Sequence, residues 1–508
     1  MLPQTHLPFA LGIGLMLGLG AFMLVVAFTV RSIVRNTHDF VIAGRNIGLG
    51  FGVGSVIAVW TWSMAVMMSS AQAYSWGTSG LLWFIVPNGL AVMAMVPFAL
   101  RLRRQMPAGY TIVEFMRHRF ASRTATVVTL VVMLFGLLSE IFINLFGTVL
   151  VMSRVFQLRP VTILLISLAI VTVYSYFGGL WTSAITATVN TLLITVPAAV
   201  VVLFVLHKVG GPGLIYHAVQ AKGSQNFNVL RGATASAFGV SLALGLLAST
   251  MADQTFWQKV WAMKPANLNR TFLWGGLWFY PIPLVLGLLG LVGLGLGVTS
   301  GDLGSAGPGG IGPYVISHLG LPVVIIALYV LIILNACYSS IDGAFSALSS
   351  IVAVDVVKPL LPQISEKRLF NLTKASIVIA GLLGGAVVLS GIDYINLVLT
   401  VFFIKSAFII PLALAIFWKR TSGRAFVASV ALSIIGGLYV RQTQGDLKGI
   451  ITLLAISAVT SVAVSLLERR SFDYTTLRRS VGELEQTAAT GTGAGPGLDA
   501  LVPATSPE

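Results

Sequence analysis

The chain holds one cysteine, Cys337, in 508 residues, which excludes a disulfide framework and any cysteine-based metal site. Charge is almost as scarce. Asp, Glu, Lys and Arg make up 9% of the residues, against about 25% in an ordinary soluble domain. So few charges cannot cover the surface of a soluble protein of this length. That excludes a soluble enzyme, a disordered chain and a nucleic-acid-binding module. No GxxxxGK[ST] phosphate loop is present, so the chain carries no ATP motor of its own. The six histidines fall in loops or at the ends of apolar runs, which speaks against a transmembrane histidine relay and against haem or iron–sulfur binding. Paired catalytic carboxylates and metal-ligand clusters are also missing, and an enzymatic role ranks last.

What the chain has is apolar length. Hydrophobic residues reach 56% and the mean hydropathy is +0.92. A helix needs about 20 apolar residues to cross roughly 30 Å of hydrocarbon. Thirteen stretches meet that requirement, near 8–33, 48–76, 79–100, 124–153, 160–178, 183–207, 236–262, 271–297, 321–356, 369–389, 393–418, 424–441 and 449–468. They are continuous rather than alternating, so a strand barrel is excluded. The expectation is an all-α membrane protein with 13 transmembrane helices. The first stretch lacks the basic leader and cleavage pattern of a signal peptide.

The net charge of +15 is an orientation signal rather than a nucleic-acid footprint. With the N-terminus outside, 23 of the 31 Lys and Arg residues fall on cytoplasmic segments, seven fall on outer loops, and Lys405 is left inside a span. This predicts N-terminus out and C-terminus in. The tail after Arg479 is rich in Gly, Ala, Thr and Pro and reads as disordered.

A many-span protein without a nucleotide site points to a secondary transporter, and such proteins often contain inverted repeats with discontinuous helices at matching positions. The run 48–76 is interrupted by small and polar residues at Thr61–Ser63 and again at Ser69–Ser70. Five spans later, 236–262 is interrupted at Ser249–Thr250, with Asp253 and Gln254 beyond. In 321–356, Ala336, Ser339 and Ser340 lie within about a turn. Carbonyls and hydroxyls without a fixed charge suit a hard monovalent cation such as sodium, although the same residues also serve as helix-packing glue.

Several stretches resemble the sodium:solute symporter family over roughly residues 8–470: DFVIAGRNIG, YTIVEFMRHRF, YFGGLWTSAITATVN and ACYSSIDGAFSALSSIVAVDVVKP. Within it, WTWSMAVMMSSAQAYSWGTSGLLWF and MADQTFWQKVWAMKPAN are similar to the urea-active transporter branch. The resemblance implies a LeuT-like bundle of ten core helices in two inverted halves of five. It divides the chain into an extra helix and loop (1–47), a first repeat (48–207), a second repeat (208–418), two further helices (419–470) and a tail (471–508). It implies a sodium site formed by the carbonyls of Ala58, Thr61 and Ala336 and the hydroxyls of Ser339 and Ser340. It implies import of a small polar solute, urea first, across the plasma (inner) membrane, with no cofactor beyond the coupling ion. One departure concerns that ion. Many members carry an acid near the inner sodium path where this chain has Ala187, so proton coupling stays open beside sodium. So do a polyamine, a carboxylate or an amino acid as solute, and a sensor or uncoupled carrier as the function.

Four further residues are candidates because ionisable groups inside a membrane are costly. Glu140 is the candidate proton carrier. Asp342 and Lys405 are coupling candidates whose plainer reading is a buried ion pair. Asp253 is a substrate candidate that could instead pair with Lys259. Trp60 and Trp62 could supply a flat wall for a planar solute, at most one of them facing the pocket, and Gln72 could close the outer side.

Overall fold

The computed structural model describes residues 7–34, 36–390, 394–469 and 471–478. It is all-helical; among the described residues the sole strand-like feature is an isolated bridge from Ile47 to Met263. The long helices are α1 (Phe9–Val30), α2 (Leu49–Trp60), α3 (Ser63–Gln105), α4 (Arg123–Phe156) and α5 (Pro160–Lys208), then α6 (Val240–Met251), α7 (Gln254–Ala262), α8 (Leu268–Phe279) and α9 (Pro281–Leu296). They continue with α10 (Val323–Ile351), α11 (Glu366–Val388), α12 (Tyr394–Ser406), α13 (Ile409–Phe417), α14 (Gly423–Gln444) and α15 (Asp446–Glu468).

Twelve helices among the described residues are long and apolar enough to cross a membrane. The difference from thirteen stretches has a local cause. Helix α3 runs for 43 residues, and at 1.5 Å per residue it would be about twice the hydrocarbon thickness. It bends at Gly77, where φ is 66° and ψ −146°. A Cβ there would lie 2.1 Å from the Asn226 carbonyl oxygen, so only glycine fits both the dihedral and the space. Helix α5 bends in the same way at Gly179 (φ 52°, ψ −148°).

The core is deepest along α10, where every residue from Ile332 to Ile351 is buried. Helix α10 packs on α5 and α4 and touches α2. Its approach to α2 requires Gly343, since a Cβ there would lie 2.6 Å from a methyl of Val59. At the other extreme, α14 and α15 form a peripheral pair that shows most of its side chains to the surroundings.

Four Lys and Arg residues assigned from the sequence to cytoplasmic segments are buried: Arg103, Arg119, Lys259 and Lys358. Of the expected tail, residues 471–478 fold back onto the bundle. The Phe472 N–H donates to the Lys419 carbonyl, and the Tyr474 hydroxyl donates to the Ala415 carbonyl at 2.8 Å. The Arg119 guanidinium lies over the Phe472 ring at 4.4 Å, and its burial lowers its basicity. Residues 479–508 lie outside the described residues.

Candidate functional site: two helix breaks

Two helices are interrupted inside the bundle, and Lys405 lies between the interruptions, against Asp253 of one and Trp62 of the other. The first falls where the sequence places it. Helix α2 ends at Trp60, Thr61 (φ −83°, ψ 70°) and Trp62 (φ −69°, ψ 168°) leave the helical region, and α3 begins at Ser63. A helix start exposes N–H groups that need partners. Here α4 supplies one: the Ser63 N–H donates to Asn144 Oδ1 at 2.7 Å, while the Asn144 amide donates to the Glu140 carbonyl. Gly147 lets α4 approach this closely, since a Cβ there would meet that of Ser63 at 2.3 Å. Asn144 and Gly147 are missing from the sequence reading. The available signal was their spacing of one and two turns from Glu140 on a single helical face.

Two other expected interruptions do not occur. Ser69 and Ser70 lie inside continuous helix, their hydroxyls bonded back to the Val66 and Met67 carbonyls. Such back-bonding lets a serine sit in a helix without breaking it. For the same reason the second break falls later than Ser249–Thr250. Those two are helical, and the chain opens at Ala252 and Asp253. Asp253 is extended (φ −138°, ψ 116°) and caps α7, its Oδ1 accepting from the Thr255 N–H at 2.9 Å and the Thr255 hydroxyl at 2.8 Å. The Trp257 indole N–H donates to the Met251 carbonyl at 2.7 Å and satisfies the end of α6.

The five residues of the expected cation site come together in part. Ser340 Oγ lies 3.5 Å from the Thr61 carbonyl oxygen and 3.4 Å from that of Val59. Ser339 Oγ is buried with no hydrogen-bond partner. The Ala58 carbonyl accepts the Thr61 N–H at 3.2 Å, so one of its lone pairs is engaged. Ala336 lies one turn before Ser340 on α10, fully buried. This corner holds neutral oxygens at the carbonyl end of α2, where the helix dipole favours a cation.

Of the aromatic candidates, Trp60 and Trp62 are both buried but differ in their N–H groups. Trp60 Nε1 donates to the Asn88 carbonyl at 3.1 Å. Trp62 Nε1 has no partner, and its ring stacks on Phe402 of α12 at 5.9 Å. Gln72 lies ten residues beyond Trp62 on α3, roughly 15 Å along the axis, and is not brought to the break. Nearby on the same helix, the Tyr74 hydroxyl donates to the Val298 carbonyl at the edge of the loop 297–310. That loop is fastened to α4 by Arg154, which donates to the Asp302 and Leu303 carbonyls. Within it, hydrogen bonds from Thr299 hold the exposed Asp302 carboxyl below the usual carboxylate range.

The buried charges do not pair as the sequence suggests. Lys405 pairs with Asp253 at 3.6 Å rather than with Asp342. Its ammonium also donates to Ser249 Oγ at 3.2 Å and lies 5.2 Å from the centre of the Trp62 ring. Asp342 instead accepts from Ser175 of α5. Lys259 does not bond Asp253 but donates to the Thr255 carbonyl at 3.2 Å. Glu140 is 0% exposed, and neither of its carboxyl oxygens has a hydrogen-bond donor. Among the described residues no group of three or more His, Cys, Asp or Glu side chains could hold a metal ion as a cluster.

Known proteins share both sequence and shape with this chain. Residues 40–431 match the sodium:solute symporter family. The rice Urea-proton symporter DUR3 (Oryza sativa subsp. japonica) is 25% identical over 94% of this chain and 74% of its own. Probable urea active transporter 1 of Schizosaccharomyces pombe is 24% identical over 86% of this chain and 70% of its own. The fold is that of a Na+-coupled sialic acid symporter solved in a substrate-bound outward-open state, with a TM-score of 0.76 over 91% of this chain and 98% of that one at 19% identity. Mhp1, a nucleobase-cation-symport-1 family transporter, matches more distantly, with a TM-score of 0.54 at 13% identity over 87% of this chain and 98% of its own. The family match spans more than half of the chain, and the all-helical fold with its apolar, membrane-length helices agrees with it: the chain belongs to the sodium:solute symporter family.

Proposed function

We propose that this protein is a secondary active symporter that imports urea together with sodium by alternating access. The observation that carries the reading is the set of buried, unpartnered polar atoms at the first helix break. Trp62 Nε1 is a donor with nothing to donate to, and Ser339 Oγ is likewise unpartnered, one residue before Ser340, whose hydroxyl lies 3.5 Å from the Thr61 carbonyl oxygen. Buried polar groups are nearly always satisfied, so atoms left open at one spot mark where a ligand completes them. Sodium fits the neutral oxygens of Ala58, Thr61, Ala336, Ser339 and Ser340. Urea fits the break itself. The Trp62 N–H would donate to its carbonyl oxygen, and backbone carbonyls freed at the break would take its N–H groups. The urea transporters among the relatives support the choice of solute.

In this reading the bundle has thirteen spans, α3 counting twice across Gly77. The N-terminus lies outside and the C-terminus inside, in the plasma (inner) membrane. The halves 48–207 and 208–418 are inverted repeats whose first helices are the broken ones. Sodium bound between α2 and α10 holds the two together and preforms the solute site. Its descent then drives accumulation, about 2.3 kcal/mol per 100 mV from the potential alone.

The test is labelled-urea uptake into proteoliposomes under a sodium gradient or a proton gradient, imposed separately. The expected result is uphill uptake driven by sodium and lost when Ser339→Ala and Ser340→Ala are combined. Sodium-driven uptake that survives the double substitution would remove the cation site. No urea uptake under either gradient would remove urea.

A further inference from the structure

The carbonyls proposed to hold urea at the first helix break raise a question of selectivity. A neutral carbonyl that accepts an N–H of urea accepts an N–H of a cation more strongly, because hydrogen bonds from charged donors are the stronger ones. Guanidinium has the flat, three-armed shape of urea and one positive charge. With its carbonyls alone, the break would prefer guanidinium, or the end of a polyamine, to urea. A site that takes the neutral solute needs a fixed positive charge beside it.

The structure places one there. Lys405 is 0% exposed, and its ammonium lies 5.2 Å from the centre of the Trp62 ring. Phe402, about one turn earlier on α12, stacks on the same indole at 5.9 Å with 20° between the planes. The aromatic surface that would otherwise attract a cationic solute is thus taken by residues of the chain itself. What Trp62 keeps open is its N–H, on the positive edge of the ring, with no partner. That edge suits an acceptor oxygen. Urea has one, and guanidinium, a donor at every nitrogen, has none.

The lysine is held in this position by its neighbours. Its ammonium is 3.6 Å from Asp253 Oδ2 and donates to Ser249 Oγ at 3.2 Å. Gly136 of α4 leaves space for its stem, since a Cβ there would come within 3.3 Å of Lys405 Cε. Asp253 in turn is tied to the start of α7, where its Oδ1 accepts from the Thr255 N–H and hydroxyl. The ammonium is therefore the charge in contact with Trp62, while the carboxylate stays at the cap. A second positive charge within about 10 Å of the ammonium would lose more than about tenfold in affinity at an effective dielectric constant of about 20.

We propose that Lys405 sets the class of solute: it makes the site at Trp62 reject cations and accept a neutral molecule that carries a carbonyl oxygen. This rests on the solute site proposed above. It separates urea from guanidinium, which share a shape and differ in charge, and it excludes the polyamine that the sequence left open. Lys405 touches the indole rather than the solute, so it acts through the Trp62 ring and through its own field. Removing it leaves Asp253 as an uncompensated carboxylate, which turns rejection of cations into attraction.

Two measurements on the purified full chain test this. The first needs no urea. Thermal melting is recorded at constant sodium with millimolar guanidinium chloride or potassium chloride. Guanidinium should raise the melting temperature of Lys405→Met, where it supplies the cation that Asp253 has lost, and leave the wild type and Lys405→Arg unchanged. Lys405→Met without that rise, or a wild type that rises as much, would overturn the proposal. The second is displacement of labelled urea. In the wild type, guanidinium should displace it about tenfold or more less well than unlabelled urea does. In Lys405→Met that ratio should move by about tenfold or more toward guanidinium, and Lys405→Arg should keep the wild-type ratio. A lysine with a purely structural role would weaken both ligands alike and leave the ratio fixed, which would also overturn the proposal. Should Lys405→Met fail to fold, its combination with Asp253→Asn replaces it: both charges are gone, and the wild-type discrimination should fall about tenfold. Urea that binds none of these proteins would remove urea as the solute, and the melting result would then decide the role of Lys405.

Discussion

The two helix breaks lie on either side of one lysine, Lys405, and are built from opposite chemistry. At Thr61–Trp62 no charged side chain belongs to the break. Its N–H is met by a neutral amide, Asn144, and its carbonyls face serine hydroxyls. At Ala252–Asp253 the cap itself is a carboxylate, and a buried lysine closes on it. An unwound helix leaves both carbonyl and N–H ends open, so each break can be finished in either sense. The neutral one leaves its oxygens for the mobile cation proposed there. The charged one has already neutralised its own carboxylate with a lysine that cannot leave. The contrast is why we propose the first break, and not the second, for a sodium ion.

The largest way to break the contrast is to remove the fixed cation. Lys405→Met strands Asp253 in the interior, and the expected loss of stability is about 3–5 kcal/mol, read as a fall in thermal melting of the purified protein. Pairing it with Asp253→Asn should recover most of that loss. If Lys405→Met melts like the wild type, the pair is not what holds the second break. Next comes the scaffold of the neutral break. Gly147→Val drives a side chain into Ser63, and a cost of about 1–3 kcal/mol is expected together with loss of uptake. Stability that falls without loss of uptake would separate α4 from the site.

The smaller changes sharpen the contrast. Ser340→Ala removes one oxygen from the neutral corner. Loss of an interaction worth about 1–1.5 kcal/mol should raise the sodium requirement for uptake roughly tenfold, with the melting temperature nearly constant. Trp62→Phe keeps the ring and removes the open N–H. Urea KM should rise about two- to tenfold while sodium dependence stays put. Ser429→Ala is the control at the periphery. Ser429 bonds Ser457 across α14 and α15, and its loss should change stability by about 1 kcal/mol or less and leave transport kinetics alone.

Much of this architecture was legible in the sequence because it rests on patterns within one helix. Apolar length marked the spans, and the polar interruption at Thr61–Ser63 marked the first break. The second break was placed three residues early because Ser249 and Thr250 look like an interruption but remain helical, Thr250 bonding back to the Leu247 carbonyl. The count of spans differed at Gly77, where a positive φ is invisible without knowing that the Asn226 backbone fills the space beside it. The pairing of charges was not legible. Asp253 and Lys405 are 152 residues apart, and Asp342 offered itself as a nearer acid. Lys259 was counted with the cytoplasmic charges, yet the cap at Asp253 turns it inward. Asn144 carried no mark of its own, since its role exists only where Ser63 starts a helix across from it.

The account stands most directly on equilibrium binding of labelled urea to the purified protein across a range of sodium concentrations. If sodium at Ser339 and Ser340 preforms the solute site beside Trp62, urea affinity rises with sodium, and by linkage sodium affinity rises by the same factor with urea. The combined Ser339→Ala and Ser340→Ala protein should bind urea weakly and without regard to sodium. Urea affinity in the wild type that is indifferent to sodium would contradict the claim that the first break joins the two ligands.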